Sequence, residues 1–235
     1  MNFKRNKLYF NSFDFAVKFW GALFLLAPIS FILYINEGDF SSASLLVKEG
    51  GAAFILYLLL IYFAKKMLPN DREYDEAVAS LYNGIDVRAL AVLGLSRNEV
   101  NEIEPIIGGT YLPDESGRLK EKLGKDGIYR AHWYRNTCMF FSKDTMYFYH
   151  RDFCLTNGRE QEYTGSYNYI DIISVNTTRK NINFVNTSDK ACTAQVDVLS
   201  LMVATGNIEF VFDNMEGIQG SIRNLRQLIS TSKSM

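Results

Sequence analysis

The chain has 235 residues, of which 48% are apolar and 14% aromatic, and this composition excludes an intrinsically disordered protein. Its 25 lysines and arginines nearly balance its 26 aspartates and glutamates, so no strong net charge attracts it to nucleic acid. The length allows one folded domain together with additional segments.

The N-terminal third contains two uncharged apolar runs, at residues 19–35 and 50–64. Each run is close to the minimum length of a helix that crosses a hydrocarbon core of about 30 Å. Lysines and arginines lie before the first run and after the second, whereas the loop between the runs carries mainly acids. Because basic residues favour the cytoplasmic side, we predict a two-span transmembrane hairpin over residues 1–69 with both termini in the cytoplasm.

A cleaved signal peptide is the alternative interpretation of the first run, because Lys4, Arg5 and Lys7 could form its basic region. The run is long for a signal peptide and a second apolar run follows it, which favours the hairpin. Neither run has an ionisable residue near its centre. A pump or a carrier is therefore not expected, since transport sites within membranes depend on such residues.

An acidic segment, residues 70–103, follows the hairpin and is predicted to be a helical neck. The stretch from Asp71 to Glu104 includes eight acids and three arginines. The sequence DREYDEAVASLY predicts a first helix, DVRALAVL predicts a second that Gly94 ends, and SRNE predicts a capping box at the start of a third. Because an anionic membrane surface repels this negative charge, we interpret the neck as a spacer or a protein-contact surface.

Beyond Pro105 the apolar residues alternate with a period of two, which predicts antiparallel strands joined by short turns. Strands are expected at residues 105–112, 128–142, 145–155, 161–176, 191–204 and 208–213. The apolar parity changes between Val198 and Leu199, which predicts a β-bulge. An amphipathic helix follows, with Ile222, Leu225 and Ile229 on one stripe, and it is expected to cover the open end of a barrel.

Three tracts resemble those of bacterial pleckstrin-homology-like (PH-like) domains: TCMFFSKDTMYFYH, YNYIDIISV and IEFVFD. The C-terminal helix follows the last of them. The resemblance covers residues 104–235. It implies that the fold class is a mainly β (α+β) PH-like barrel, whose antiparallel strands are capped by a C-terminal helix. In this chain the barrel is expected to follow the membrane α-helical hairpin. In that barrel residues 166–177 belong to one strand, and Asp171 meets backbone amides or solvent where the strand curves.

Residues that could carry catalysis are few. His132 and His150 lie in predicted strands without cysteines or carboxylates at metal-site spacing, so both are interpreted as core or surface residues. Cys138, Cys154 and Cys192 lack C-x-x-C spacing and are interpreted as free thiols. No phosphate loop, nucleophile elbow, zinc-protease motif or dinucleotide fingerprint occurs. We therefore predict neither a metal, nor a cofactor, nor an enzymatic activity.

One basic cluster is a candidate ligand site. Residues 118–130 carry five cations against two acids, on the loop between the first two predicted strands. PH domains bind lipid phosphates from the corresponding loop, and Lys120, Lys122, Lys125 and Arg130 resemble that arrangement. The resemblance implies an anionic headgroup or a small anionic ligand, and a solvated loop without a ligand is the alternative.

The leading hypothesis from the sequence is a non-enzymatic, membrane-anchored PH-like binding or scaffolding protein, with several spans in the bacterial inner membrane. Its expected partners are the lipid bilayer, a partner protein or a second copy of the chain, and an anionic headgroup or ligand, but not nucleic acid. Two alternatives stay open. One is a ligand-gated two-span membrane effector of the antiphage-defence type, and the other is an accessory subunit of an envelope machine.

Overall fold

The computed structural model of the protein describes residues 2–10, 59, 62, 68–186 and 188–234. The chain divides into two compact units, Met1–Lys4 with Asp71–Met235 and, separately, Arg5–Asn70. The described helices are α1 (Phe3–Tyr9), α2 (Asp71–Tyr82), α3 (Ile85–Leu93) and α4 (Gln219–Ser234).

The described strands belong to the first unit and form three antiparallel sheets. Strands β1 (Ile106–Tyr111), β4 (Trp133–Phe141), β5 (Thr145–Cys154) and β6 (Glu160–Asn168) form a four-stranded sheet in the order β1-β4-β5-β6. Strands β7 (Ile172–Val185), β8 (Ala191–Val203) and β9 (Gly206–Phe212) form a three-stranded sheet in that order. The short strands β2 (Glu121–Leu123) and β3 (Tyr129–Ala131) form a hairpin between β1 and β4.

The structure contradicts the membrane part of the predicted fold class. In the part of the chain that it describes, no helix is both long enough and apolar enough to cross a bilayer. The 16-residue helix α4 is amphipathic, and a span would place its charged face in lipid. The apolar runs at residues 19–35 and 50–64 fall outside the described residues, apart from Leu59 and Tyr62. Because no described helix qualifies as a span, the predictions of a transmembrane hairpin and of a multi-pass inner-membrane location were wrong.

The prediction of one barrel with a continuous strand over residues 161–176 was also wrong. A 3₁₀ turn, Tyr169–Asp171, separates β6 from β7, and the two strands belong to different sheets. Tyr169 fixes this corner, because its side chain is fully buried, its N–H donates to the Asp144 carbonyl at 3.0 Å and its hydroxyl donates to the Ser142 carbonyl at 2.8 Å. Asp171 is exposed on the turn. The architecture is mostly sheet, with three sheets and a C-terminal helix.

The predicted bulge in β8 is absent from the described ladder. Strand β8 pairs with β7 without interruption from Ala191 to Met202, and the irregular step lies in β7 between Ile172 and Ser174. Val198 and Leu199 are both buried although they point to opposite faces. The change of apolar parity therefore reflects burial on both faces of β8 and not an inserted residue.

The main core lies between the four-stranded sheet, the three-stranded sheet and α4. It includes Met139 and Phe141 from β4 and Leu199 and Leu201 from β8. Helix α4 begins after β9 and contributes the predicted stripe, since Ile222, Leu225 and Ile229 are all buried in this core.

The opposite face of the four-stranded sheet is covered by α2, α3 and the segment that follows them. Ala89 and Leu90 of α3 pack with Cys138, Phe140 and Tyr149, which point away from the main core. Both helices begin and end close to the predicted positions, and Gly94 ends α3 with a φ of 68°, a left-handed conformation that suits glycine. Because both faces are covered, eight of the nine residues of β4 are buried.

The stripe of α4 yields a stability prediction. Leu225→Ala is expected to lower the free energy of unfolding by about 2–5 kcal/mol, because it removes buried methyl groups and leaves a cavity. The neighbouring residue Asn224 is exposed on the same helix, so Asn224→Ala should change stability by no more than about 0.5 kcal/mol. Urea unfolding of both variants measures the difference, and equal stability of the two would show that α4 does not cover the core.

The packing of α3 predicts where a stable fragment must begin. A fragment of residues 101–235 would expose Phe140 and Tyr149, each worth about 1.5–3 kcal/mol when fully buried. We expect it to melt at a lower temperature than a fragment of residues 71–235 and to bind a hydrophobic dye. Thermal unfolding of both fragments tests this, and identical melting would mean that the acidic helices contribute nothing to the core.

Candidate functional site: a polar cleft at one end of the four-stranded sheet

A cleft of about 360 Å³ lies at the end of the four-stranded sheet where β4 begins and β5 ends. Three loop segments meet there: the loop after β1, the start of β4 with the residue before it, and the turn between β5 and β6. Its lining residues are Asp114, Glu115, Ser116, Lys120, His132, Trp133, Cys154, Thr156, Asn157, Arg159 and Gln161. The volume is within the lower range of small-molecule sites.

The two acids of the cleft are engaged by groups of the protein itself. The Asp114 carboxylate accepts hydrogen bonds from the Ser116 N–H at 2.9 Å, the Ser116 hydroxyl at 2.5 Å and the Arg118 N–H at 3.0 Å. Burial alone would raise the pKa of Asp114, but these hydrogen bonds outweigh it and lower the pKa. Glu115 accepts a hydrogen bond from the Gln161 side-chain amide at 2.6 Å. Both carboxylates are thus used to hold the loop after β1 in place.

The two cations of the cleft lack such partners. The side chains of Lys120 and Arg159 are exposed, and among the described residues neither makes an ion pair or a side-chain hydrogen bond. Their hydrogen bonds involve the backbone: the Lys120 N–H donates to the His132 ring, the Arg159 N–H donates to the Asn157 side chain, and the carbonyls of Lys120 and Arg159 accept from the His132 and Cys154 N–H groups. The cleft is therefore bordered by two positive charges that form no ion pair among the described residues, together with the two hydrogen-bonded carboxylates.

His132 lines the cleft and accepts a hydrogen bond from the backbone. Its Nδ1 accepts the backbone N–H of Lys120 at 3.1 Å, so this nitrogen carries no proton. Burial, and then the charge of Lys120, lowers the pKa of His132, and the ring is neutral near pH 7.

Cys154 and Trp133 also line the cleft. The Cys154 thiol contacts the Thr156 hydroxyl at 3.3 Å. The side chain of Trp133 is buried with Leu119 and Phe184 in a small second core. Trp133 and Cys154 are the apolar residues of the lining, and its other residues are polar or charged.

The structure does not gather the four predicted basic residues at one site. Lys120 is at the cleft, Lys122 is a half-buried residue of β2, and Lys125 is exposed in the turn between β2 and β3. The Arg130 side chain is 97% buried, so it does not present its charge to a ligand. The sequence pattern does not point to Arg159, because this residue lies in NGRE, in the short turn between the strands expected at residues 145–155 and 161–176.

Arg130 connects the basic loop to the acidic helix α2. Its guanidinium donates two hydrogen bonds to Asp75, both at 2.7 Å, and two to Asp126, at 2.9 and 2.6 Å. Hydrogen bonding to Arg130 is the main cause that holds the pKa of Asp126 well below its usual range. The Lys125 N–H donates to Asp71 at 2.8 Å in the same region. Of the four predicted residues, Arg130 thus uses its charge within the fold, to bind Asp75 of the acidic segment and Asp126 of its own loop.

His150 is buried on the inner face of β5. Its Nδ1 lies 2.9 Å from the Thr137 hydroxyl, and its ring contacts Phe148 and Phe210. Burial, and secondarily the charge of Arg135, lowers the pKa of His150 to about 3. The residue is therefore neutral in the folded protein at any pH near neutrality, and its surroundings are those of a core residue.

The depressed pKa of His150 predicts an acid-dependent loss of stability. Between the unfolded value near 6.5 and the folded value near 3, the unfolded chain binds more protons, so stability is full above about pH 6.5 and falls as the pH drops. The slope contributed by one such histidine is at most about 1.4 kcal/mol per pH unit. His150→Asn should reduce the stability difference between pH 7 and pH 5 in urea unfolding. An unchanged difference would mean that His150 is protonated in the folded state.

No protein-family model, curated protein or solved structure matches the chain.

Proposed function

We propose that this protein is a non-enzymatic binding protein whose polar cleft holds an anionic group, a phosphate or a carboxylate, of a small ligand. One observation carries the proposal. Lys120 and Arg159 border the cleft without carboxylate partners among the described residues, whereas Asp114 and Glu115 are held by hydrogen bonds within the loop and to Gln161. Among the described residues these two cations have no ion pair and the two carboxylates are already hydrogen-bonded, so the cations are the charged groups of the cleft that are left to bind an anion.

The neutral residues of the lining suit the same ligand. The Thr156 hydroxyl and the Asn157 side chain lie beside Arg159 in the turn between β5 and β6. Hydroxyl and amide groups can donate hydrogen bonds to oxyanions, and an arginine can bind two oxygens of one phosphate or carboxylate at the same time. Because Trp133 and Cys154 also belong to the lining, we propose an anionic group attached to an apolar or aromatic body.

We further propose that the strand-rich unit is a PH-like domain. A meander of four strands, a meander of three strands and a C-terminal helix follow one another along the chain, and the β2–β3 hairpin lies in the loop between the first two strands of the larger meander. This order supports the resemblance noted in the sequence. The cleft adjoins the same loop, through Asp114 and Lys120.

The environments of the two histidines support a function without catalysis. The Nδ1 atoms of His132 and His150 both take part in hydrogen bonds within the protein, and burial favours the neutral form of each ring. The Cys154 thiol, which also lines the cleft, lies within hydrogen-bond distance of the Thr156 hydroxyl. The proposal therefore assigns these side chains to the fold.

Titration of the full-length protein with inorganic phosphate and with benzoate, followed by NMR, tests the cleft. We expect saturable shifts for resonances of Trp133 and Asn157. Lys120→Ser and Arg159→Ser should each weaken binding about tenfold, because a charge-assisted hydrogen bond contributes about 1.5–3 kcal/mol.

Lys125→Ser is the matched control, because Lys125 is equally exposed on the same basic loop but does not line the cleft. It should leave binding unchanged. Sedimentation with anionic and neutral vesicles distinguishes a lipid headgroup from a free ligand. The proposal fails if neither anion binds saturably, or if the control weakens binding as much as Lys120→Ser does.

A further inference from the structure

Strand β6 is the open edge of the four-stranded sheet. One side of β6 pairs with β5 from Glu160 to Asn168 without a register shift, and among the described residues no strand or side chain bonds to the backbone of its other side. The residues at the middle of the strand, Thr164 and Ser166, are exposed. A free row of N–H and C=O groups of this kind is a template for another strand.

The ladder between β5 and β6 determines which groups point outward. At one end the Cys154 N–H donates to the Arg159 carbonyl at 2.8 Å, and at the other end the Tyr169 N–H donates to the Asp144 carbonyl at 3.0 Å. Because bonded and non-bonded pairs alternate in an antiparallel ladder, every second residue of β6 points its backbone groups away from β5. These residues are Glu160, Glu162, Thr164, Ser166 and Asn168.

The free edge of the other sheet differs from β6 in ways that discourage pairing. Strand β7 has an irregular step between Ile172 and Ser174. Side chains of α4 occupy carbonyls of β7, since the Lys233 ammonium donates to Ile173 at 3.2 Å and the Arg226 guanidinium donates to Val175 at 3.3 Å. Bulges, charged side chains and covering segments are the usual protection of an edge strand. The described part of β6 has no bulge, no proline and no lysine.

We propose that β6 pairs with β6 of a second copy of this chain, antiparallel and centred on Thr164. The outward-pointing residues are symmetric about Thr164, so each finds an outward-pointing residue opposite it. Glu162 then lies opposite Ser166 of the second copy, and Glu160 lies opposite Asn168 of the second copy. No glutamate faces a glutamate, so a repulsion that would oppose self-pairing is absent from this register.

The charges of β6 are neutralised within each copy. Glu162 bonds to Arg88 at 2.6 Å, and Glu160 bonds to Arg151 at 2.5 Å and to Arg88 at 3.3 Å. The Tyr149 hydroxyl also donates to Glu162 at 2.5 Å. These acids lie on the face that carries α3, and they would approach the second copy already paired with arginines.

The other face of β6 provides a matching apolar contact. Gly165 has no space for a side chain, because an added Cβ would lie 2.4 Å from the ring of Phe148. In the proposed register, Tyr163 lies opposite Gly165 of the second copy and its ring can cover that glycine and the adjacent Phe148. Tyr163 is now 46% exposed, although it is a large aromatic residue in a sheet. Pairing of an aromatic residue with a glycine across an edge is a recognised way to stabilise such a contact.

The proposed dimer joins the two four-stranded sheets into one continuous sheet with two-fold symmetry. The contact is isologous, since the same strand is used by both copies, and it closes without a further free β6 edge. This inference does not rest on the proposed function, because its argument uses the β6 edge and not the cations of the cleft.

Two lysine substitutions on β6 test the register, measured by sedimentation equilibrium of the full-length protein over a range of concentrations. Thr164→Lys places two lysines directly opposite each other and should weaken dimerisation at least about tenfold. Ser166→Lys makes the same change two residues away, but it places the lysine opposite Glu162 of the second copy and should preserve the dimer. Both side chains are exposed, so both variants should fold, and circular dichroism verifies this.

Crosslinking gives a second measurement on the same edge. With Cys192 replaced by serine, Thr164→Cys should form a crosslinked dimer with a short thiol-specific reagent, because opposite bonded residues have Cα atoms about 5.5 Å apart. Thr178→Cys, on an exposed part of β7, is the control and should not crosslink. In sedimentation, the inference is overturned if the unmodified protein stays monomeric, or if Thr164→Lys dimerises like the unmodified protein. It is also overturned if Ser166→Lys weakens the dimer as much as Thr164→Lys. In crosslinking, it is overturned if both cysteine variants crosslink equally.

Discussion

Burial of β4 on both faces is the constraint on which the rest of this fold depends. Met139 and Phe141 of β4 point into the main core, while Cys138 and Phe140 point into the cluster under α3. This cover does not extend to β6, which has no buried residue and forms one edge of the sheet. At the other edge, the Asp213 N–H just after β9 donates to the Gly109 carbonyl of β1 at 3.2 Å. The β6 edge and the cleft at the end of the sheet are the two places at which we propose binding.

Electrostatic attraction between the acidic segment and the strand region holds the outer cover in place. Asp75 binds the buried Arg130, Asp71 accepts the Lys125 N–H, and Arg88 of α3 binds the glutamates of β6. Since Arg130 is buried and bonds to two carboxylates, loss of one partner would leave part of a buried charge unpaired, which is strongly unfavourable. Asp75 of α2 and Arg130 of the first loop thus serve the fold, whereas Lys120 and Arg159 border the cleft without an ion pair among the described residues.

Local patterns in the sequence predicted the elements better than their arrangement. The helices α2, α3 and α4 follow from apolar spacing, Gly94 and the stripe of α4, which are features that act within a few residues. The break at Tyr169–Asp171 was not predicted, because apolar residues continue through it on both parities, which is also typical of a strand buried on both faces. The distant partners Ser142 and Asp144 bond to Tyr169 at the corner. Counting charges likewise does not predict the pairing of Arg130 with Asp75. The count identifies an acidic and a basic segment, but it does not show that the two segments meet. The apolar runs near the N-terminus satisfied a length criterion only marginally, and that criterion takes no account of packing.

Amide hydrogen exchange along β6, measured residue by residue at a low protein concentration, tests most directly the register that leaves this edge open. Protection is expected to alternate: the N–H groups of Tyr163 and Gly165 donate to β5 and exchange slowly, whereas those of Thr164 and Ser166 face solvent and exchange quickly. Slow exchange of Thr164 and Ser166 with fast exchange of Tyr163 and Gly165 would contradict the register. Equal protection of all four in the monomer would show that another part of the chain already covers the edge.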